Sequence, residues 1–198
     1  LRTCFVVVLL LPGVLLWTST MVRLIKPNSV GHYSENKRHA VYSLDFQPNG
    51  GRLATGASDS CVKLWDVDAM MDGLSVEAAD GAAEEEERDP LLATMSNHTK
   101  SVNIVRWSHD GKYLASGSDD CYILIYKFTP DAISNSSFGS SSSSKNVESW
   151  SRCAQLAGHT MDVLDLDWSP RGILASASID NSVCIWDMRA LGKPGCPA

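Results

Sequence analysis

The sequence predicts an all-β chain in which three copies of a small antiparallel sheet are strung along 198 residues. Three observations predict it. The first is self-similarity. Val41–Asp66, Val102–Lys127 and Val163–Asp187 line up, and their closing aromatics Trp65, Tyr126 and Trp186 lie 61 and 60 residues apart. The second is a recurring polar set. An Asp stands six residues before each aromatic (Asp59, Asp120, Asp180), and a hydroxyl stands ten before it (Thr55, Ser116, Ser176). A His precedes each block (His39, His98, His159). The third is texture: short apolar or alternating runs are cut by Asn49-Gly50, Asp110-Gly111 and Arg171-Gly172, which is how strands and tight turns read. Fixed-period self-similarity marks a repeat architecture.

Each block accommodates three strands. In the third they fall at about Val163–Trp168, Ile173–Ala177 and Ser182–Trp186. A fourth strand lies between blocks, Leu91–Met95 after the first and Trp150–Leu156 after the second. A four-stranded sheet of this size cannot bury both faces alone, so each unit must pack on its neighbours.

The flanks are different in kind. Residues 1–20 form an apolar leader in which Phe5–Trp17 is nearly continuous in apolar residues. It is signal-like, but too short for a comfortable membrane span and interrupted by Pro12-Gly13. The preferred reading is a segment foreign to the rest, with Met21–Pro27 as a natural start that leads into a strand. The repeat region is then 21–187, with repeats at about 39–66, 98–127 and 159–187. An acidic loop occupies 68–90, where Glu84–Glu87 cluster with Asp80 and Asp89, and a serine-rich loop occupies 131–149. Both read as solvated connections. Residues 188–198 form an irregular tail.

Composition narrows the function. With 44% apolar and 20% charged residues the chain can build a core. A net charge of −6 argues against a dominant electrostatic grip on nucleic acid. The six cysteines are scattered and none forms a CxxC pair, so neither a zinc ribbon nor a disulfide scaffold is expected. Cys61, Cys121 and Cys184 fall in or beside the third strand of their blocks and read as small, partly buried apolar residues.

The polar set has a structural logic. A buried indole N–H needs an acceptor, and a hydroxyl can supply one while donating onward to an imidazole. The Asp then orients the His and the tight turn it occupies. The predicted network is His39, Thr55, Asp59 and Trp65 in the first block. It is His98, Ser116, Asp120 and Tyr126 in the second, and His159, Ser176, Asp180 and Trp186 in the third. Tyr126 replaces Trp, so the second network should be the weakest. Each His has partners in its own block, which leaves no reason for the three to converge on a metal. The Asp–His–Ser set superficially resembles a hydrolase triad, but no nucleophile elbow accompanies it. No catalytic residue, cofactor or metal ligand is assigned, and an enzyme is not expected.

These residues resemble the WD-repeat β-propeller family, most plainly at Gly158-His159, Ser176, Asp180 and Trp186-Asp187. Several stretches resemble the HIR/HIRA histone chaperone subunits more narrowly. They are Met21–Pro27, His98–Ser118, Phe138-Gly139-Ser140 with Asn146-Val147-Glu148 and Trp150, and Met161–Pro170. The resemblance implies a partial, unclosed propeller of three four-stranded blades where the family has seven. It implies a non-catalytic scaffold in the nucleus, acting in replication-independent nucleosome assembly and transcriptional regulation. Its expected partners are other chaperone subunits of the ubinuclein type, and histones directly or indirectly. No sequence-specific nucleic acid and no membrane is expected. Open edges make the isolated chain marginally stable or partner-dependent. The alternatives are a generic WD-repeat scaffold in ubiquitin-ligase or signalling assemblies, and a secreted or tethered protein using the apolar leader.

Overall fold

A computed structural model of the chain describes residues 30–34, 37–72, 89–130 and 146–191. The leader, the Met21–Pro27 segment, most of the acidic loop, the serine run and the end of the tail lie outside the described residues.

A short hairpin comes first, β1 (His32–Ser34) against β2 (Lys37–His39). Blade 1 follows as β3 (Val41–Phe46), β4 (Arg52–Ala57), β5 (Val62–Asp66) and β6 (Leu91–Met95). Helix α1 (Val67–Asp72) stands between the last two. Blade 2 is β7 (Val102–Trp107), β8 (Tyr113–Ser118), β9 (Tyr122–Phe128) and β10 (Trp150–Ala157). Blade 3 is β11 (Val163–Ser169), β12 (Ile173–Ser178) and β13 (Val183–Asp187). Every sheet is antiparallel with its strands in sequence order. The all-β, unclosed architecture agrees with the sequence expectation. Blade 3, expected to have four strands, has three among the described residues.

The turns between the first two strands of each blade explain the expected dipeptides. Gly50, Gly111 and Gly172 have φ of 78°, 67° and 74°. Their N–H groups close turns on the carbonyls of Gln47, Ser108 and Ser169. A left-handed residue after a type I turn suits a hairpin, and glycine enters it without a Cβ penalty. Each innermost strand also carries a register shift, between Val41 and Ser43, Val102 and Ile104, and Val163 and Asp165. Such bulges bend the strand locally and increase its twist.

The core lies between blades. Val102, Val105 and Trp107 of β7 project onto Ala54, Val62, Leu64, Ala93 and Met95 of blade 1. Val163, Leu166 and Trp168 of β11 repeat this against Ala115, Ile123 and Ile125 of blade 2. Each fully buried aliphatic side chain contributes about 1.5–3 kcal/mol. The approach is close: a Cβ on Gly56 would lie 2.7 Å from Val102 Cγ1, and one on Gly117 would lie 2.7 Å from Val163 Cγ1.

Two elements depart from the sequence reading. The hairpin β1–β2 lies before the expected start of the first repeat. Helix α1 opens the stretch read wholly as loop, and Asp66 Oδ1 caps it by accepting from the N–H groups of Asp68 at 3.0 Å and Ala69 at 3.2 Å. An Asp at a helix start satisfies donors that have no intrahelical partner.

Candidate functional site

The polar set forms a linear chain from indole to carboxylate in blades 1 and 3. In blade 3, Trp186 Nε1 donates to Ser176 Oγ at 2.9 Å, and the same oxygen lies 2.7 Å from His159 Nε2. His159 Nδ1 lies 2.9 Å from Asp180 Oδ2. The hydroxyl accepts from the indole and donates to Nε2, so the imidazole carries its proton on Nδ1 and donates it to the carboxylate. Asp180 also accepts from the backbone N–H groups of Thr160 at 3.0 Å and Ser182 at 2.9 Å. The hydroxyl of Ser182 and these donors hold its carboxyl far below the usual range. The residue after each Asp is left-handed: Ser60, Cys121 and Asn181 have φ of 65°, 70° and 66°. The Asp side chain thus braces a strained turn as well as the His.

Blade 1 uses a different histidine from the one expected. Trp65 Nε1 donates to Thr55 Oγ1 at 2.9 Å, and Thr55 Oγ1 lies 2.9 Å from Nε2 of His32, not of His39. His32 Nδ1 lies 2.8 Å from Asp59 Oδ2. His39 sits outside, 2.6 Å from the Ser34 hydroxyl. The assignment of His39 is therefore corrected to His32. The physical reason is an insertion. His98 and His159 stand four residues before Val102 and Val163, whereas His32 stands nine before Val41, and the extra residues fold as β1–β2. A signal was present: Gly31-His32 repeats the Gly158-His159 dipeptide, whereas Arg38-His39 does not.

Blade 2 is incomplete at one end. His98 bridges Ser116 Oγ at 2.7 Å and Asp120 Oδ2 at 2.8 Å. The Tyr126 hydroxyl is buried and makes no hydrogen bond among the described residues. Burial pushes its pKa well up, with Ser116 the polar neighbour that partly opposes this. The change goes with another. In blade 3 a Cβ on Gly158 would lie 2.6 Å from Trp186 Cη2. Asn97 replaces that glycine where the smaller Tyr126 replaces the indole.

Burial is the largest influence on His32 and His98 and lowers both pKa values, with the Asp59 and Asp120 contacts opposing it. Burial opposes ionisation of Asp120, but bonds from His98, Thr99 and Tyr122 outweigh it and hold the carboxyl below its usual value. These groups are satisfied by one another within each repeat.

A clamp without a sequence signature joins blades 1 and 2. Glu148 accepts from Arg52 Nε at 2.9 Å and from Trp150 Nε1 at 2.9 Å. The backbone N–H groups of Val147 and Glu148 donate to Leu92 O, each at 2.9 Å. Asn146 Oδ1 accepts from Thr94 N at 2.9 Å. Trp150 packs edge-on against Trp107 with ring centroids 5.4 Å apart. The stretch that resembled the family thus ties the end of the second connection to the outer strand of blade 1.

One cleft of about 300 Å³ lies between blades 2 and 3, lined by His109, Lys112, Tyr113, Trp168 and Arg189 among others. Its cations are paired, Lys112 with Asp110 at 3.1 Å and Arg189 with Asp187. Among the described residues, no group of three or more His, Cys, Asp and Glu side chains is placed to hold a metal ion. Cys61, Cys121, Cys153 and Cys184 are free and partly buried. Among the described residues no helix is long and apolar enough to cross a membrane.

The sequence matches the CAF1B/HIR1 beta-propeller domain over residues 28–194. The chain belongs to the HIR/HIRA family of WD-repeat proteins. Protein HIR1 of Cryptococcus neoformans var. neoformans serotype D is 44% identical over 169 residues, which is 84% of this chain and 18% of that protein. Protein HIRA of Oryza sativa subsp. japonica is 42% identical over 149 residues, 75% of this chain and 14% of that protein. The chain therefore spans less than a fifth of these curated relatives. Among solved structures, the WD40 repeats of RRP9 superpose with a TM-score of 0.52 at 22% identity, covering 78% of this chain and 37% of that one. That likeness shows the fold alone. HIR/HIRA membership agrees with the resemblance drawn from the repeats.

Proposed function

We propose that this chain is the repeat module of a non-catalytic scaffold subunit in a histone chaperone complex. The complex acts in the nucleus, in replication-independent nucleosome assembly and transcriptional regulation. The observation that carries this reading is the family match over residues 28–194, which spans all the described strands. The internal chemistry supports it. Every Asp–His–hydroxyl set is spent on holding strands together, so the blades are rigid and their outward loops and edges are left to meet partners. The partners proposed are a subunit of the ubinuclein type and, directly or through it, histones.

The test is biolayer interferometry with the purified 198-residue chain and a purified ubinuclein-type subunit. Saturable binding supports the proposal. Absence of binding, together with capture of a ubiquitin-ligase core subunit in the same format, would move the chain to the generic scaffold class.

A further inference from the structure

The first repeat carries a finger that the other two lack. His98 and His159 stand four residues before Val102 and Val163, whereas His32 stands nine before Val41. The extra residues pair as β1 and β2, with Tyr33 opposite Arg38 and Ser34 opposite Lys37. Blade 1 holds the base of this hairpin. His32 bridges Thr55 and Asp59, and Lys63 Nζ donates to Gly31 O at 3.2 Å. The finger is therefore a built element rather than a slack loop.

The finger is basic in a chain of net charge −6. Its sequence sets Lys37, Arg38 and His39 against one acidic residue, Glu35. Lys37 and Arg38 are exposed. Arg52, Arg106, Lys112 and Arg189 each meet a carboxylate, but among the described residues Lys37 and Arg38 meet none. Arg38 is instead stacked over the Tyr33 ring, with its guanidinium carbon 5.7 Å from the ring centroid. Stacking occupies the flat face of the guanidinium and leaves its edge N–H groups to hold a carboxylate through two parallel bonds.

We propose that the β1–β2 finger is a docking site for an extended acidic segment of a partner protein, held by Arg38 and Lys37. Adjacent residues of a strand project to opposite faces, so the two cations flank the edge of β2 that β1 leaves unpaired. A partner segment running along that edge also alternates its side chains. Two consecutive carboxylates then meet Arg38 on one face and Lys37 on the other. Charged side chains on an edge strand ward off indiscriminate pairing; here they admit an acidic strand. Nucleic acid fits less well. Its grip rests on many phosphate contacts, about six to ten, and this finger offers two unpaired cations on an acidic chain. The site holds whichever complex the chain serves.

The experiment is fluorescence anisotropy of the full 198-residue chain against a fluorescein-labelled decapeptide of alternating glutamate and aspartate. A labelled single strand of thymidine nucleotides of the same length is the second probe. The peptide is expected to bind saturably, and more weakly as salt screens the contact. The double variant Lys37→Gln, Arg38→Gln is expected to bind the peptide about tenfold more weakly. Lys127→Gln, which removes an exposed cation of β9, is expected to bind as the parent does. Tyr33→Ala is expected to weaken binding about threefold and Tyr33→Phe to retain it, because the ring orients Arg38. All four positions are exposed, and near-UV circular dichroism checks that each variant folds. Absence of saturable peptide binding overturns the proposal, and so does equal binding by the parent and the double variant. A thymidine strand bound more tightly than the peptide, and lost in the same double variant, overturns it in favour of nucleic acid.

Discussion

Arg52 of blade 1 and Glu148 of the connection leading into β10 meet across 96 residues of sequence, with Arg52 Nε 2.9 Å from Glu148 Oε2. Both side chains are partly buried. Burial opposes ionisation of Glu148, but bonds from Arg52 and Trp150 prevail and keep its carboxyl below the usual range. Removing one partner leaves the other charge without compensation. Glu148→Gln is expected to cost about 1–3 kcal/mol of stability, read by urea denaturation. Arg52→Lys should not substitute, because a lysine lacks the planar fork. A double-mutant cycle that returns no coupling contradicts this.

The histidines of the first repeat behave differently on truncation. His32→Ala removes the bridge between Thr55 and Asp59 and should cost about 2–3 kcal/mol. His39→Ala loses one exposed contact with Ser34 and should change stability by less than about 0.5 kcal/mol. Equal effects of the two would restore the reading taken from sequence.

The closing aromatics make a second contrast. Tyr126→Phe deletes a buried hydroxyl that makes no hydrogen bond among the described residues, so it should be neutral or stabilise by up to about 1 kcal/mol. Trp65→Phe removes the donor to Thr55 and leaves a cavity, at a cost of about 1–3 kcal/mol. Thermal denaturation of both variants beside the parent decides it.

Acidification should weaken the fold in a defined window. His32 faces Asp59, Lys63 and His39, and His98 faces Asp120 and Arg152. Each has a folded pKa below its ordinary value of 6.5. The unfolded chain therefore takes up protons first as pH falls, and stability declines from about pH 6.5 downward until the folded pKa is passed. Asp120, also lowered, adds a further loss below its ordinary 3.8. His98→Gln should flatten the first decline in a series of melting curves. An unchanged slope would mean the imidazole is not neutral in the folded chain.

Sequence legibility followed locality. The turns at Asn49-Gly50, Asp110-Gly111 and Arg171-Gly172 were readable because a left-handed glycine is a property of a few residues. Strands Leu91–Met95 and Trp150–Ala157 were readable because each is an apolar or alternating run between polar segments. His39 stands nearest the first block in sequence, but an inserted hairpin places the true partner, His32, seven residues upstream. Asp66 as a helix cap was missed because α1 is one short turn and a half beside an acidic stretch. The Arg52–Glu148 clamp had no local signature at all, since its members meet only after two blades have packed.

In the proposed function, blades stapled by their Asp–His–hydroxyl sets serve as a platform for chaperone subunits. Hydrogen–deuterium exchange of the 198-residue chain, with and without a purified ubinuclein-type subunit, tests it most directly. The account predicts slowed exchange confined to loops and strand edges, with the stapled strands β4, β8 and β12 already protected in both states. Exchange identical in the two states at every peptide, with the subunit in saturating excess, would contradict it.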